Sequence, residues 1–244
     1  FCDAARRDDY DLVYVSQVFF DSGFALNDLS AVVNAVTNPA TFIAVDGYHG
    51  FMAVPTDLSP IAHRAFYLAG GYKYAMAGEG VCFLHCPPGY GPRPRDTGWY
   101  AGFAALEDGG AGVPFATDGS RFFGATFDVS GLYRFNAVQA WLAREGLDVA
   151  RMLAQVRTLE RRFLRELDRP HMPIDSGNLL VPDENRRGRF LAFRTDDAAR
   201  ITSRLAANNM IIDHRGDRLR IGFGIYHDPD DTTRLARAIA DNPP

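Results

Sequence analysis

The sequence predicts an α/β chain: a mostly parallel sheet with covering helices, followed by a small C-terminal α+β unit. Three observations carry this. The first part of the chain holds short, near-continuous apolar runs, Asp11–Phe20, Thr41–Val45, Ala65–Ala69 and Val81–Leu84, which is the pattern of strands buried on both faces. A helical stripe of Leu29, Val32, Val33 and Val36 lies between the first two runs, as a crossover between parallel neighbours requires. From about Pro173 the pattern changes to strands and helices in close alternation. The expected division is therefore residues 1–145 as the larger unit and 146–244 as a linking helix and a smaller one.

Taken in order, DLVYVSQVFF (Asp11–Phe20) reads as a strand closed by the turn signal Asp21-Ser22-Gly23. Asn27 is the expected cap of the first apolar helix. Thr41–Val45 is a strand that ends at the polar turn Asp46-Gly47-Tyr48-His49-Gly50, and Ala65–Ala69 is a strand that runs into Gly70-Gly71-Tyr72-Lys73. Val81–Leu84 makes a fourth strand, and a Pro/Gly/Arg-rich loop spans Pro87–Gly98 before Trp99. A helical pattern begins after Ser130, and Leu147–Leu167 reads as one long amphipathic helix. Strands are expected at Asn178–Val181, Phe190–Phe193 and Leu219–Phe223, one more strand before the last, and helices at Asp196–Ala207 and Pro229–Ala240. Open α/β sheets bind ligands at the carboxyl ends of their strands, and both Asp46 and Lys73 fall there.

The bulk properties exclude several classes. A length of 244 with 47% hydrophobic residues supports a sizeable core in one large domain or two small ones. The net charge of −4 is spread over interspersed signs, which offers nothing to a nucleic acid. Arg161, Arg162 and Arg165 share a helical segment with acidic neighbours and read as a solvated face. Three cysteines, Cys2, Cys82 and Cys86, form neither a disulfide framework nor a zinc pattern, so no metal is expected. No apolar run approaches the ~18 residues of a membrane span and no signal peptide is present, so the expected setting is cytoplasmic. The chain opens Phe1-Cys2-Asp3 and reaches its first strand almost at once, as if it began inside a larger protein.

Lys73 is the only lysine; the other 25 basic residues are arginine. Arginine replaces lysine in most surface roles but cannot become a neutral amine at workable pH. A lone lysine is therefore a candidate for amine chemistry, namely a Schiff base with a carbonyl compound or with pyridoxal phosphate. Arginine-rich codon usage could equally leave one lysine by chance. The small residues around it, Ala69-Gly70-Gly71 and Ala75-Met76-Ala77-Gly78, permit close approach of backbone to a ligand.

A pyridoxal phosphate site needs an anion beside the ring nitrogen, phosphate donors and a carboxylate clamp. Asp46, 27 residues before Lys73, suits the first role, or is an ordinary turn aspartate before glycine. His49 and Tyr72 offer donors, or pack as a structural histidine and an aromatic. Arg220 is a cation within an apolar strand that could grip a carboxylate bidentately. Alternation puts Arg218 on the same face, which leaves open that one of the two is a solvated edge residue.

The runs Val45-Asp46-Gly47-Tyr48-His49-Gly50 and Gly70-Gly71-Tyr72-Lys73-Tyr74-Ala75-Met76-Ala77-Gly78-Glu79-Gly80 resemble the cofactor region of class V aminotransferase-like, fold type I pyridoxal phosphate enzymes, most closely the kynureninase-like branch. Gly98-Trp99 resembles the Gly-Trp element of that branch, and Leu219-Arg220-Ile221 followed by Tyr226-His227 its C-terminal arginine strand. The resemblance covers most of the chain in order. It implies part of the large domain of a pyridoxal-phosphate-dependent transferase plus a small C-terminal domain. Lys73 is then the imine lysine and proton shuttle, and Asp46 holds the pyridinium. His49, Tyr72, Trp99 and Gln17 lie at the cofactor, Arg220 clamps the substrate carboxylate, and Thr126 stands in the place of a substrate-recognising asparagine. A homodimer with a shared active site is also implied, since the Gly-Trp element commonly reaches the phosphate across the interface.

Two departures shape the functional reading. The family's segment before the first strand, with its phosphate turn and ring-stacking aromatic, is absent from this sequence. Where kynureninases carry Asn-Pro-Pro, this chain has Gly124-Ala125-Thr126-Phe127-Asp128. The expected function is thus a pyridoxal-phosphate-dependent enzyme acting on an amino acid, most simply an aminotransferase. The alternatives are a kynureninase-type hydrolase cleaving a carbon–carbon bond, with Phe122, Phe123 and Phe127 lining its pocket, and a non-catalytic half that serves folding or dimerisation. A desulfurase is disfavoured because Gly110–Ser130 contains no cysteine to take the sulfur.

Overall fold

A computed structural model describes residues 1–7, 9–106 and 114–240; the start of the cysteine-free stretch Gly110–Ser130 lies outside them. Strands β1 (Leu12–Ser16), β2 (Phe42–Asp46), β3 (Phe66–Gly70) and β4 (Cys82–His85) form one sheet in that order. The first three are parallel, and β4 pairs with β3 antiparallel. The apolar runs thus give the expected parallel sheet, with an antiparallel edge. β4, at that edge, is largely exposed: Leu84 faces solvent, while Phe83 is half exposed and packs on Phe51 and Tyr67.

Helices α1 (Cys2–Arg7) and α2 (Leu29–Ala35) cover one face of the sheet. Leu29, Val32 and Val33 of α2 pack on Val15, Ile43, Val45, Tyr67 and Ala69 in a single apolar cluster. On β1, Val13 and Val15 are buried, Val15 within that cluster, while Leu12 and Tyr14 are half exposed on the opposite face, the period of two that a pleated strand imposes.

Helix α3 (Ser130–Arg144) ends at Gly146, which adopts φ 63°, and Asp148 caps α4 (Val149–Leu167) by accepting from the Arg151 amide. The long helix is where periodicity placed it. Its buried stripe of Val156, Leu159, Phe163 and Leu167 packs on a second core. That core is built from β5 (Leu191–Arg194), α5 (Ala198–Ala207), β6 (Asp213–Arg215), β7 (Arg218–Ile221) and α6 (Pro229–Ala240). The three strands form an antiparallel sheet in the order β5-β7-β6.

Three local expectations are corrected. The first strand stops at Ser16: Phe19 and Phe24 close a tight hairpin (N to O 2.9 Å), and Val18 bridges Ala25. This hairpin docks on the segment before β5, with the Gly188 amide on the Gly23 carbonyl at 2.7 Å and the Ala25 amide on the Arg186 carbonyl at 2.8 Å. Asp28, not Asn27, caps α2; Asn27 instead donates to the Asn185 carbonyl. Asn178–Val181 is not a strand, because Asp175 and Asn178 cap each other around a single 3-10 turn and only Leu179 bridges Phe193. A smaller apolar cluster of Val18, Ala25, Val54, Phe190 and Ala192 fills the seam between the hairpin and β5.

Candidate functional site

The site begins where β2 ends. Asp46 is in register with Ser16 on one side and Leu68 on the other. The chain then turns at once, with the Gly47 amide on the Leu68 carbonyl and the Gly50 and Phe51 amides on the Gly47 carbonyl. Two glycines make this turn possible. A Cβ on Gly47 would lie 2.1 Å from the Tyr67 ring, and one on Gly50 would lie 2.0 Å from Gln17 Oε1. Gln17 is buried beneath the turn, accepting from the Tyr67 hydroxyl at 2.8 Å and donating to Thr56 Oγ1 at 2.7 Å. Its amide is engaged on both sides, so Gln17 supports the turn and lines neither pocket described below.

The Asp46 carboxylate is held at both oxygens. Oδ1 accepts from the Tyr48 amide and Oδ2 from the Tyr14 hydroxyl, each at 2.9 Å. The Tyr14 phenol is pushed up to about 12 by loss of solvent, then by its hydrogen bond to Asp46 and that residue's charge. It therefore stays a donor at neutral pH and keeps the carboxylate aimed.

Lys73 lies in the loop after β3, which closes through the Gly71 amide on the Val81 carbonyl (2.9 Å) and the Ala77 amide on the Gly71 carbonyl (2.8 Å). Nζ stands 5.1 Å from the centre of the Tyr72 ring, which is itself 5.9 Å from Tyr48. The amine is held below the ordinary lysine value, first by burial and then by repulsion from Arg220, against an opposing pull from Asp46, Glu79 and Asp213. His49 stacks on Phe20 at 6.4 Å, and its imidazole is lowered to about 4 by burial, Lys73 and Arg220. It is neutral at pH 7 and can donate or accept.

Two adjoining pockets meet at Lys73, sharing His49, Lys73, Tyr74 and Gly222. One, of about 360 Å³, is lined also by Ile212, Asp213 and Arg220. The other, of about 320 Å³, reaches Met76, Arg189 and Tyr226. Arg220 is where alternation along β7 placed it, between buried Leu219 and Ile221. Its Nη2 pairs with Asp213 Oδ2, and Nη1 donates to the Phe20 carbonyl at 2.9 Å. Arg218, on the same face, pairs instead with Asp217 and Asp21.

Not every expected residue joins them: Asp46 and Tyr72 line neither pocket, Asp46 acting on the amine through its charge and Tyr72 through its ring. Trp99 is half exposed against Tyr100 and Phe103, and Thr126 sits in an exposed loop; neither lines a Lys73 pocket. Two charged pocket residues escaped the sequence reading. Arg189 looks like part of the charge run Arg186-Arg187-Gly188-Arg189, and Asp213 like a loop aspartate. Only the docking of the hairpin and the pairing of β6 with β7 bring them to Lys73. No group of three or more metal-ligating side chains occurs among the described residues, and no described helix is long and apolar enough to cross a membrane.

No known protein family and no curated protein matches the sequence. Solved structures share its fold. The chain is similar to a cysteine desulfurase from Thermococcus onnurineus NA1 (TM-score 0.77, 15% identity, 98% of this chain and 62% of that one). It is similar to a lysine-to-alanine mutant of C-DES with glycine covalently linked to its PLP cofactor (0.71, 18%, 95% and 60%). It is also similar to an aspartate aminotransferase from Thermus thermophilus (0.63, 17%, 99% and 66%). The chain therefore spans about three fifths of the length of these structures, and the α/β architecture read from the sequence is the one they share. Nothing in these likenesses singles out the kynureninase-like branch.

Proposed function

We propose that this chain carries the lysine-bearing part of a pyridoxal phosphate enzyme acting on an amino acid, with amino transfer as the simplest reaction. The observation that carries the reading is Lys73: the sole lysine, with a lowered amine, opens on two pockets that each contain an arginine. The surrounding donor set fits the cofactor. Asp46 is an aimed carboxylate, His49 a neutral imidazole, and Tyr72 a hydroxyl within the same turn as the lysine.

When bound, pyridoxal phosphate supplies an aldehyde for the lysine and a protonated ring that accepts electron density. Lys73 would hold the group through its amine, and a free Nζ would accept the proton from the substrate α-carbon. A lowered amine raises the share of neutral Nζ available for that transfer. Asp46, oriented by the Tyr14 hydroxyl and the Tyr48 amide, would hold a positive charge at the ring nitrogen. Arg220 grips the substrate carboxylate in place of Asp213. Trp99, which lines neither pocket, is proposed to serve the partner's site in a homodimer. Thr126 is proposed to approach substrate from its loop in the same assembled state. The division at 145/146 belongs to the proposal, supported by a second core drawn wholly from Val156–Ile239.

A second reading is cleavage of a carbon–sulfur bond, supported by the fold likeness to a desulfurase. The same Lys73 chemistry serves it, but Gly110–Ser130 holds no cysteine, so sulfur would leave without a thiol from that loop to receive it. The test is the absorbance of a bound cofactor in the complete protein, repeated with Lys73→Arg, which keeps charge but cannot form the imine. A complete protein that shows no such chromophore ends the enzyme reading. Product analysis then separates a keto acid (amino transfer), released sulfide, and alanine from a kynurenine-like compound (hydrolysis).

A further inference from the structure

Among the described residues four arginines are buried: Arg121, Arg157, Arg187 and Arg189. Three have partners for their charge or for most of their donors. Arg121 donates to the carbonyls of Asp118, Tyr90 and Gly91 at 2.6, 2.8 and 3.2 Å. Arg157 and Arg187 share the Glu160 carboxylate at 2.6 and 3.2 Å, and each reaches a backbone carbonyl as well. Arg189 differs. It is 3% exposed, its Nη1 reaches the Met52 carbonyl only at 3.5 Å, and its Nε is buried with no acceptor among the described residues. The Arg187 Nε lacks an acceptor too, but that side chain is ion-paired. No carboxylate among the described residues lies within ion-pair distance of Arg189. Its guanidinium also lies 5.4 Å from the centre of the Tyr74 ring.

A buried, unpaired cation is costly, and the cost is offset only by an anion or several good hydrogen bonds. Glu160, the carboxylate whose charge acts on Arg189, is already shared between two other arginines. The unpaired guanidinium lines the 320 Å³ pocket together with Lys73, Met76, Gly222 and Tyr226. The 360 Å³ pocket on the Arg220 side already contains its own counter-charge in Asp213. The positive charge without a partner is therefore on the Arg189 side of the amine.

We propose that Arg189 binds an anionic group of the substrate, so that the molecule handled at Lys73 carries two carboxylates, or one carboxylate and an equivalent anion. This rests on the reading of the site as one for amino acids, and it names the class: an amino acid with an acidic side chain. Arg220 takes one anionic end and Arg189 the other, with the reacting carbon at Lys73 between them.

The test compares glutarate with pentanoate, matched in length and differing by one carboxylate, by titration calorimetry on the complete protein with pyridoxal phosphate added. Glutarate is expected to bind about ten-fold tighter or more, as one added charge-assisted pair provides. Arg189→Met is expected to bring the two ligands to equal affinity, and Arg189→Lys, which keeps the charge but loses the fork, to leave an intermediate preference. Equal binding in the unaltered protein, or a preference unchanged in both variants, overturns the proposal. The cofactor chromophore reports separately. A glutarate preference that depends on Arg189 supports the assignment even in a protein with no chromophore, where only the enzyme reading falls. A chromophore without that preference sinks the Arg189 assignment alone.

Discussion

Arg220 and Asp213 face each other as register partners on β7 and β6, and their side chains are ion-paired. The cation placed to hold a substrate carboxylate already holds one from its own sheet. Asp213→Asn removes that competitor. Because Asp213 is about half exposed, the pair is screened and the gain is modest: pentanoate affinity is expected to rise about three- to five-fold. Calorimetry on the variant checks this, and an unchanged affinity would place the substrate carboxylate away from Arg220.

Lys73 is open to a direct test of its amine. Arg220 lowers it and Asp213 raises it, so replacing Arg220 with Met removes the repulsion and frees the aspartate, and both changes raise the value. The rate at which an amine-selective reagent modifies Lys73, followed by mass spectrometry across pH, is expected to reach its midpoint below that of a free lysine. In Arg220→Met the midpoint moves up.

His49 makes stability depend on acid. Its folded value of about 4 lies below the 6.5 of an unfolded histidine, so the folded state favours the neutral ring. The contribution is complete above pH 6.5 and is lost as pH falls toward 4. Urea midpoints measured across that window should fall more steeply in the unaltered protein than in His49→Asn. Parallel curves would show that His49 does not titrate with folding.

Gly47→Ala tests the turn that aims Asp46. The added methyl would stand 2.1 Å from the buried Tyr67 ring, whose hydroxyl is tied to Gln17, so the ring cannot step aside freely. A loss of about 1–3 kcal/mol in urea unfolding is expected, the usual cost of overpacking. The loss should shrink when Tyr67 is also replaced by Leu.

Glu160→Gln strands Arg157 and Arg187 in the core without their shared carboxylate. Removing one partner from a buried ion cluster costs about 3–5 kcal/mol. Denaturant unfolding measures it, and a variant of unchanged stability would mean that the two arginines are satisfied by carbonyls alone.

Legibility followed the range of the interactions. Helix α6 runs Pro229–Ala240 as read, because proline at its start, acidic residues in the first turn and an apolar stripe are all local signals. Asp46 and Lys73 were found at strand ends because a strand and its following turn are also local. Gln17 shows the limit of a local signal: a polar side chain at a strand end looks alike whether it faces a ligand or, as here, hydrogen-bonds Tyr67 and Thr56. Trp99 and Thr126 came from family likeness, and no local signal fixes their distance from Lys73.

The sequence by itself determined the strands and helices, the parallel character of the first sheet, and the lone amine with its aspartate. Periodicity and residue type carry those directly. Tertiary structure alone decided which arginine is spent and which is free. Arg220 is neutralised because β6 lies beside β7, and Arg189 is sealed beside Lys73 because the 17–25 hairpin docks on the segment leading into β5. A charge's worth depends on what lies within a few ångströms of it, and those neighbours come from elements far apart in the chain.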